Sequence, residues 1–185
     1  MNRPLFCFVG RSSSGKTTIA NMMSENGYTQ IASYTTRSPR YEGEKEHTFV
    51  SDEEYDKLED IMAETLYNGH RYCTTLEQIK NADIYVVDPP GVRTLLRNYD
   101  KIERSIHVLY FDADVCNRIQ RMRQRGDSDA QIISRLLYDD AEDWRSELMS
   151  MNRQNSYKMI ILDIDANRDL EKVYYEVKNI IKKHI

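Results

Sequence analysis

Gly10, Gly15, Lys16 and Thr17 occupy the fixed positions of G-x-x-x-x-G-K-[ST] within "GRSSSGKT", directly after the apolar run "PLFCFV". Glycines let a main chain curl until several N–H groups point at one anion. Spread over Gly10, Ser12, Ser13, Ser14, Gly15, Lys16, Thr17 and Thr18, such a loop surrounds a phosphate chain, and the positive end of the following helix adds to the attraction. Lys16 has the reach for β- and γ-phosphate oxygens, and the Thr17 hydroxyl is a ligand for Mg²⁺. The plain alternative is a Gly/Ser turn that only caps a helix. Strand, loop and helix follow in the order a phosphate loop needs, so the spacing predicts a nucleoside triphosphate site.

Three further groups carry charge where phosphates would need it. Arg37 and Arg40 flank Pro39 in "SYTTRSPRYEGE", a spacing that suits planar, charge-assisted clamping of one phosphate or, more simply, a solvated turn. Arg118, Arg121, Arg123, Arg125 and Arg135 fall within 18 residues that contain no lysine. Guanidinium groups suit negative charge held during transfer. Arg118 and Arg123 read as members of a solvated helix face. Asp88 ends the apolar run "IYVVD", either at the crevice above a parallel sheet or as the cap of the next helix.

"SYTTRSPRYEGE" followed by "TFVSDEEYDKL" resembles the monophosphate-binding region of guanylate kinases, and weaker similarity runs to the C-terminal helix. The resemblance implies a P-loop NTPase-type parallel sheet flanked by helices, with a small mixed NMP-binding subdomain and a helical lid. One domain over 1–185 is expected, with its core at 1–32, 76–120 and 135–185, the subdomain at 33–75 and the lid at 121–134. It implies ATP and Mg²⁺ as cofactors and phosphoryl transfer to GMP or dGMP, giving GDP (or dGDP) and ADP. Arg37 and Arg40 fall on phosphate-clamping arginines, and Arg121, Arg125 and Arg135 on lid arginines. Lys16, Arg37 and these three would serve catalysis. Ser33, Glu64 and Thr74 fall on residues around the guanine, Tyr72 on a phosphate-binding tyrosine, and Asp88 on an aspartate that helps hold the nucleotide. His47 stands where another phosphate-binding tyrosine is usual, in a segment about two residues shorter than the family pattern, and Val86 replaces an acid. A carboxylate at Glu64 would accept both N1–H and the N2 amino group of guanine, whereas adenine would face it with a lone pair. Without the resemblance, Glu64 reads as an ordinary surface acid.

Two other readings stay open. The same fold could serve another nucleoside monophosphate or a ribose phosphate. It could also be a binding module without catalysis, although such modules tend to lose the loop that is intact here.

Positioning these groups requires a sheet. Apolar, β-rich runs at Leu5–Val9, Ile84–Val87, Ile106–Phe111 and Lys158–Leu162 alternate with helical patterns at Lys16–Ser24, Gly91–Tyr99, Val115–Arg123, Ala130–Asn152 and in "RDLEKVYYEVKNIIKKH". That alternation predicts a parallel α/β sheet covered on both faces. Within "SDEEYDKLED", Ser51 and Glu54 fit a capping box. Tyr72 apart, the tyrosines (13 in all) and Trp144 read as packing residues.

Composition sets the outer limits. Of the 185 residues, 40% are apolar and 30% charged, as in a globular domain, and the net charge of −4 argues against general nucleic-acid binding, which usually wants a basic face. No apolar run is long enough to span a membrane. Cys7, Cys73 and Cys116 are scattered without a C-x-x-C pair, which fits reduced thiols in a cytoplasmic protein whose partners are small nucleotides.

Overall fold

The computed structural model describes residues 3–67 and 69–185. Among them the strands form two sheets. The main sheet is parallel, with β1 (Leu5–Val9) between β6 (Ile84–Val86) and β7 (Ile106–Asp112), and β8 (Met159–Asp165) beyond β7. Every residue of β1 is buried, as expected of a central strand covered on both sides.

The pleat of β1 sorts its side chains into two cores. Phe6 and Phe8 pack with Ile19, Ala20 and Met23 of α1 (Lys16–Glu25), and with Val173, Val177 and Ile181 of the C-terminal helix. Leu5, Cys7 and Val9 face the other way, toward Val92 and Leu95 from the helix after β6 and toward Leu148 and Met151.

The second sheet is mixed. It runs β3 (His47–Phe49), β2 (Ser33–Thr35), β5 (His70–Thr75), β4 (Ile61–Tyr67), with β2 parallel to β3 and antiparallel to β5. Between β3 and β4 lies the short α2 (Asp52–Tyr55), whose Ser51 and Glu54 do form the capping box. Met62 and Ala63 of β4 enter the core beside Val92 and Leu95, which locks this sheet to the main one.

The remaining helices connect these strands. They are α3 (Leu76–Lys80), α4 (Pro89–Arg97), α5 (Tyr99–Ile102), α6 (Val115–Arg125), α7 (Asp129–Asp140), α8 (Trp144–Gln154) and α9 (Leu170–His184). Gly126, at φ 91°, closes α6, and the N–H of Asp127 bonds to the carbonyl of Met122. Ser128 then opens α7 with a capping box to Gln131.

One expected element divides. The pattern over Ala130–Asn152 is two helices, not one, because the Asp143 carboxylate accepts from the N–H of Ser146 (3.1 Å) and starts α8 afresh. The break turns Trp144 into the core of the main sheet and up to the cleft described below.

Candidate active site

The phosphate loop leaves β1 at Gly10, where the chain passes hard against β7. A Cβ here would lie 2.4 Å from the Phe111 carbonyl oxygen, so only glycine fits. Ser13 takes a left-handed conformation (φ 60°) without being glycine, a cost the surrounding contacts must hold in place. Three successive loop carbonyls face cations. The Arg11 oxygen accepts from Lys16 Nζ (2.9 Å), that of Ser12 from Arg118 Nε (3.1 Å), and that of Ser13 from Arg121 Nη1 (3.3 Å). Gly15 occupies the N-cap of α1 and brings no side chain there, so the first-turn N–H groups stay available to an anion. Desolvation of the Lys16 ammonium, offset in part by the Asp139 carboxylate, pulls its pKa down to about 8.

A cavity of about 200 Å³ opens beside this loop. Gly10, Ser12, Ser13, Lys16 and Thr17 form one wall. Ser33, His47 and Tyr72 come from the second sheet, Arg40 from the loop between its strands β2 and β3, Arg125 and Arg135 from α6 and α7, and Asp88 from just past the end of β6. Arg125 and Arg135 are both held by Asp127: Arg125 Nε lies 3.1 Å from Oδ1, and Arg135 Nε lies 3.3 Å from Oδ2.

Asp88 plays the cap role outright, accepting from the N–H of Gly91 (2.9 Å), while its other oxygen accepts from the Thr65 hydroxyl (2.8 Å). Burial pushes its pKa up. His47 shares a 2.9 Å hydrogen bond with the Ser33 hydroxyl through Nδ1. Burial, with the Arg37 guanidinium nearby, pulls its pKa down to about 4, so it is neutral at pH 7.

Several expected site residues lie elsewhere. Glu64 does not reach the cleft. It pairs across the sheet with Cys73, whereas its neighbour Thr65 pairs with Tyr72. Successive residues of a strand point to opposite faces, so Glu64 is turned away from the face that Thr65 and Tyr72 present. Its carboxylate accepts from the Tyr55 hydroxyl (3.1 Å) and lines a separate depression with Leu66, Arg71 and Pro90.

Thr74 is fully buried and donates to Gln78 (2.8 Å). Arg37, also buried, forms a two-pronged pair with Glu44 (2.6 and 3.1 Å) and lies over the Phe49 ring. Arg121 grips the base of the loop from behind, bonding the carbonyls of Ser13 and Ala166. Ser14, Gly15 and Thr18 belong to the loop and helix start without lining the cavity.

Other residues enter without a sequence signal. Thr65, Tyr67, Tyr85, Asp139 and Trp144 all line the cleft. Trp144 and these tyrosines therefore do more than pack. Arg118 is the clearest reversal. Expected on a solvated helix face, it is 1% exposed and paired with Asp139, itself 0% exposed, at 2.7 Å. A lone arginine cannot be buried uncompensated, and its partner lies 21 residues along the chain, on another helix.

Among the described residues no group of three or more His, Cys, Asp or Glu side chains converges as a metal cage. That donor set still suits Mg²⁺, which commonly binds through few protein oxygens and through substrate phosphates. The Thr17 hydroxyl, exposed at the cleft wall, is one oxygen this chain offers.

No protein-family model matches the sequence, and no curated protein does. Solved structures do match in shape. A guanylate kinase from Anaplasma phagocytophilum superposes with a TM-score of 0.59 at 18% identity, over 98% of this chain and 86% of that one. A deoxyadenosine kinase from M. mycoides with bound dATP superposes with a TM-score of 0.50 at 17% identity, over 96% and 98%. The likeness is one of fold: this chain has the α/β fold of P-loop kinases.

Proposed function

We propose that this chain catalyses ATP-dependent phosphoryl transfer to a nucleoside monophosphate, with GMP (or dGMP) the acceptor that its "SYTTRSPRYEGE" motif favours. The observation that carries the reading is the meeting of cations from three directions. Lys16 of the phosphate loop, Arg40 of the β2–β3 loop, and Arg125 and Arg135 of the helical pair line one cavity, beside Thr17. Opposed anion sites sharing one small cleft are what transfer between two phosphates needs.

In this reading an oxygen of the acceptor phosphate attacks the γ-phosphorus of ATP as the bond to the β-phosphate oxygen breaks. The products are ADP and a nucleoside diphosphate. Thr17 would hold Mg²⁺ through its hydroxyl, and the ion would supply charge neutralisation for the phosphate oxygens. Lys16 holds the same oxygens, and Arg125 and Arg135 offset charge on the moving group. Arg40 and Tyr72 orient the acceptor phosphate. The Asp127 carboxylate sets both helix-borne arginines at the cleft wall before any nucleotide arrives, which lowers the ordering cost of binding.

A second reading keeps the chemistry and changes the base. The orientation of Glu64 favours it, since the carboxylate that would read guanine lies on the far face of β4. The base would then meet Tyr67, Tyr72, Thr65 and neutral His47. A coupled ADP-release assay over GMP, dGMP, AMP, CMP and dTMP separates the two. Fastest release with GMP or dGMP supports the first reading, fastest release with another monophosphate supports the second, and no stimulation by any of them overturns both.

A further inference from the structure

We infer that the buried Arg118–Asp139 pair is a positioning device for the triphosphate loop, gripping Ser12 by every polar atom it has and tying the loop to the helices that carry Arg125 and Arg135. The inference rests on the ATP-binding part of the reading above and adds two residues to it.

Ser12 is held from all sides. Its N–H donates to Asp139 Oδ2 (2.7 Å), its hydroxyl donates to Asp139 Oδ1 (3.2 Å), and its carbonyl accepts from Arg118 Nε (3.1 Å). The Ser12 hydroxyl proton is committed to Asp139, so the Tyr67 hydroxyl, 3.1 Å away, is the donor to Ser12 Oγ. Arg118 Nη2 closes the square on Asp139 Oδ2 (2.7 Å). Arg118 Nη1 also lies 3.7 Å from Asp140, which pairs with Arg11 at 3.0 Å, so the residue before Ser12 is tethered to the same helix.

Charge explains why both members are needed. Asp139 lines the cleft, and a bare carboxylate there would repel a triphosphate. Arg118 cancels it at contact distance, leaving a neutral pair that still makes three hydrogen bonds to Ser12. An apolar pair of similar volume generally serves stability as well as a buried ion pair does. What it cannot supply is directed hydrogen bonds to a strained loop, in which the next residue, Ser13, stands at φ 60°.

Helical spacing extends the effect. Arg125 lies about two turns beyond Arg118 on α6, and Arg135 about one turn before Asp139 on α7. The helix faces that grip Ser12 therefore also present the two arginines to the cleft.

The test is calorimetric titration of the full chain with a non-hydrolysable ATP analogue and Mg²⁺, and separately with the acceptor monophosphate. It compares wild type, Asp139→Asn, and the double variant Arg118→Leu/Asp139→Leu, with melting temperature recorded for each. The expected result is that both variants weaken the ATP analogue by about ten- to a hundredfold, the loss of a charge-assisted hydrogen bond. Acceptor affinity should stay within about twofold, as for a separate site. If Asp139→Asn fails to fold because it strands Arg118, the double variant decides. Wild type that does not bind the analogue overturns the ATP reading and the inference with it. Wild type that binds, with variants that bind equally well, overturns the inference alone. So does an equal weakening of both ligands, or a double variant that does not fold, since either marks the pair as merely structural.

Discussion

At each end of its main sheet the molecule buries an arginine, and it answers the two charges differently. At the end where β1, β6 and β7 begin, Arg104 is 8% exposed and donates to backbone carbonyls alone: those of Arg3 (2.7 Å), Pro4 (2.8 Å), Ala82 (2.8 Å) and Ile79. At the opposite end, Arg118 meets a carboxylate and the carbonyl of Ser12. Carbonyl dipoles spread around a cation tie chain segments together, and here the Asp83 carboxylate offsets the charge only from a distance. A carboxylate removes the charge and frees the surroundings to hold an anion. The first arrangement suits a foundation, the second a working surface.

The largest expected contrast comes from Lys16→Ala. Removing one preorganised positive group from the working end should lower turnover about 100- to 1000-fold, with little change in melting temperature, as read by the coupled assay and by thermal denaturation. Arg104→Ala should do the reverse. Four carbonyls lose their donor together, and at about 1–3 kcal/mol for a buried group left unpaired the urea-unfolding free energy should fall by roughly 3 kcal/mol or more. The dissociation constant for the ATP analogue should stay unchanged in the protein that remains folded. An Arg104→Ala protein with normal stability, or with selectively lost nucleotide affinity, would erase the distinction between the two ends.

Acidity separates the ends more finely. Lys16, with its pKa pulled down to about 8 in the free protein, loses its proton as pH rises through that value. A bound triphosphate favours the charged form, so affinity for the analogue should weaken roughly tenfold between pH 7 and pH 9. Near the start of β7, burial and the neighbouring His184 pull His107 down to about 4. Its folded-state pKa lies below that of an unfolded histidine, so its contribution to stability is complete above about pH 6.5 and is lost as pH falls toward 4. His47 adds a slope of the same sign. Melting temperature should therefore decline over that window, and less steeply in His107→Phe.

What the residues alone revealed follows the range of the interactions concerned. The strand Leu5–Val9, the loop after it and the capping box at Ser51 are local patterns, and the structure has them. The division of Ala130–Asn152 was hidden because neither glycine nor proline marks it, and one aspartate cap does the work. Glu64 turned on a single residue of register. A shift between Ile61 and Ala63 sets which β4 side chains face β5's Tyr72 side, and one step reverses every one of them. Arg118 lay beyond local reach altogether, since nothing near it in sequence announces Asp139. Pairings between distant helices are fixed by packing, and packing is not written in any short stretch.

Trp144, placed by the break before α8, has a further use. It is the chain's single tryptophan, 6% exposed, and it forms part of the cleft wall. Indole emission depends on the polarity and charge of its immediate surroundings, and here no second indole blurs the signal. Nucleotide entering the cleft should register as a change in the intensity or colour of the protein's own ultraviolet glow, so that occupancy can be followed in real time without a dye.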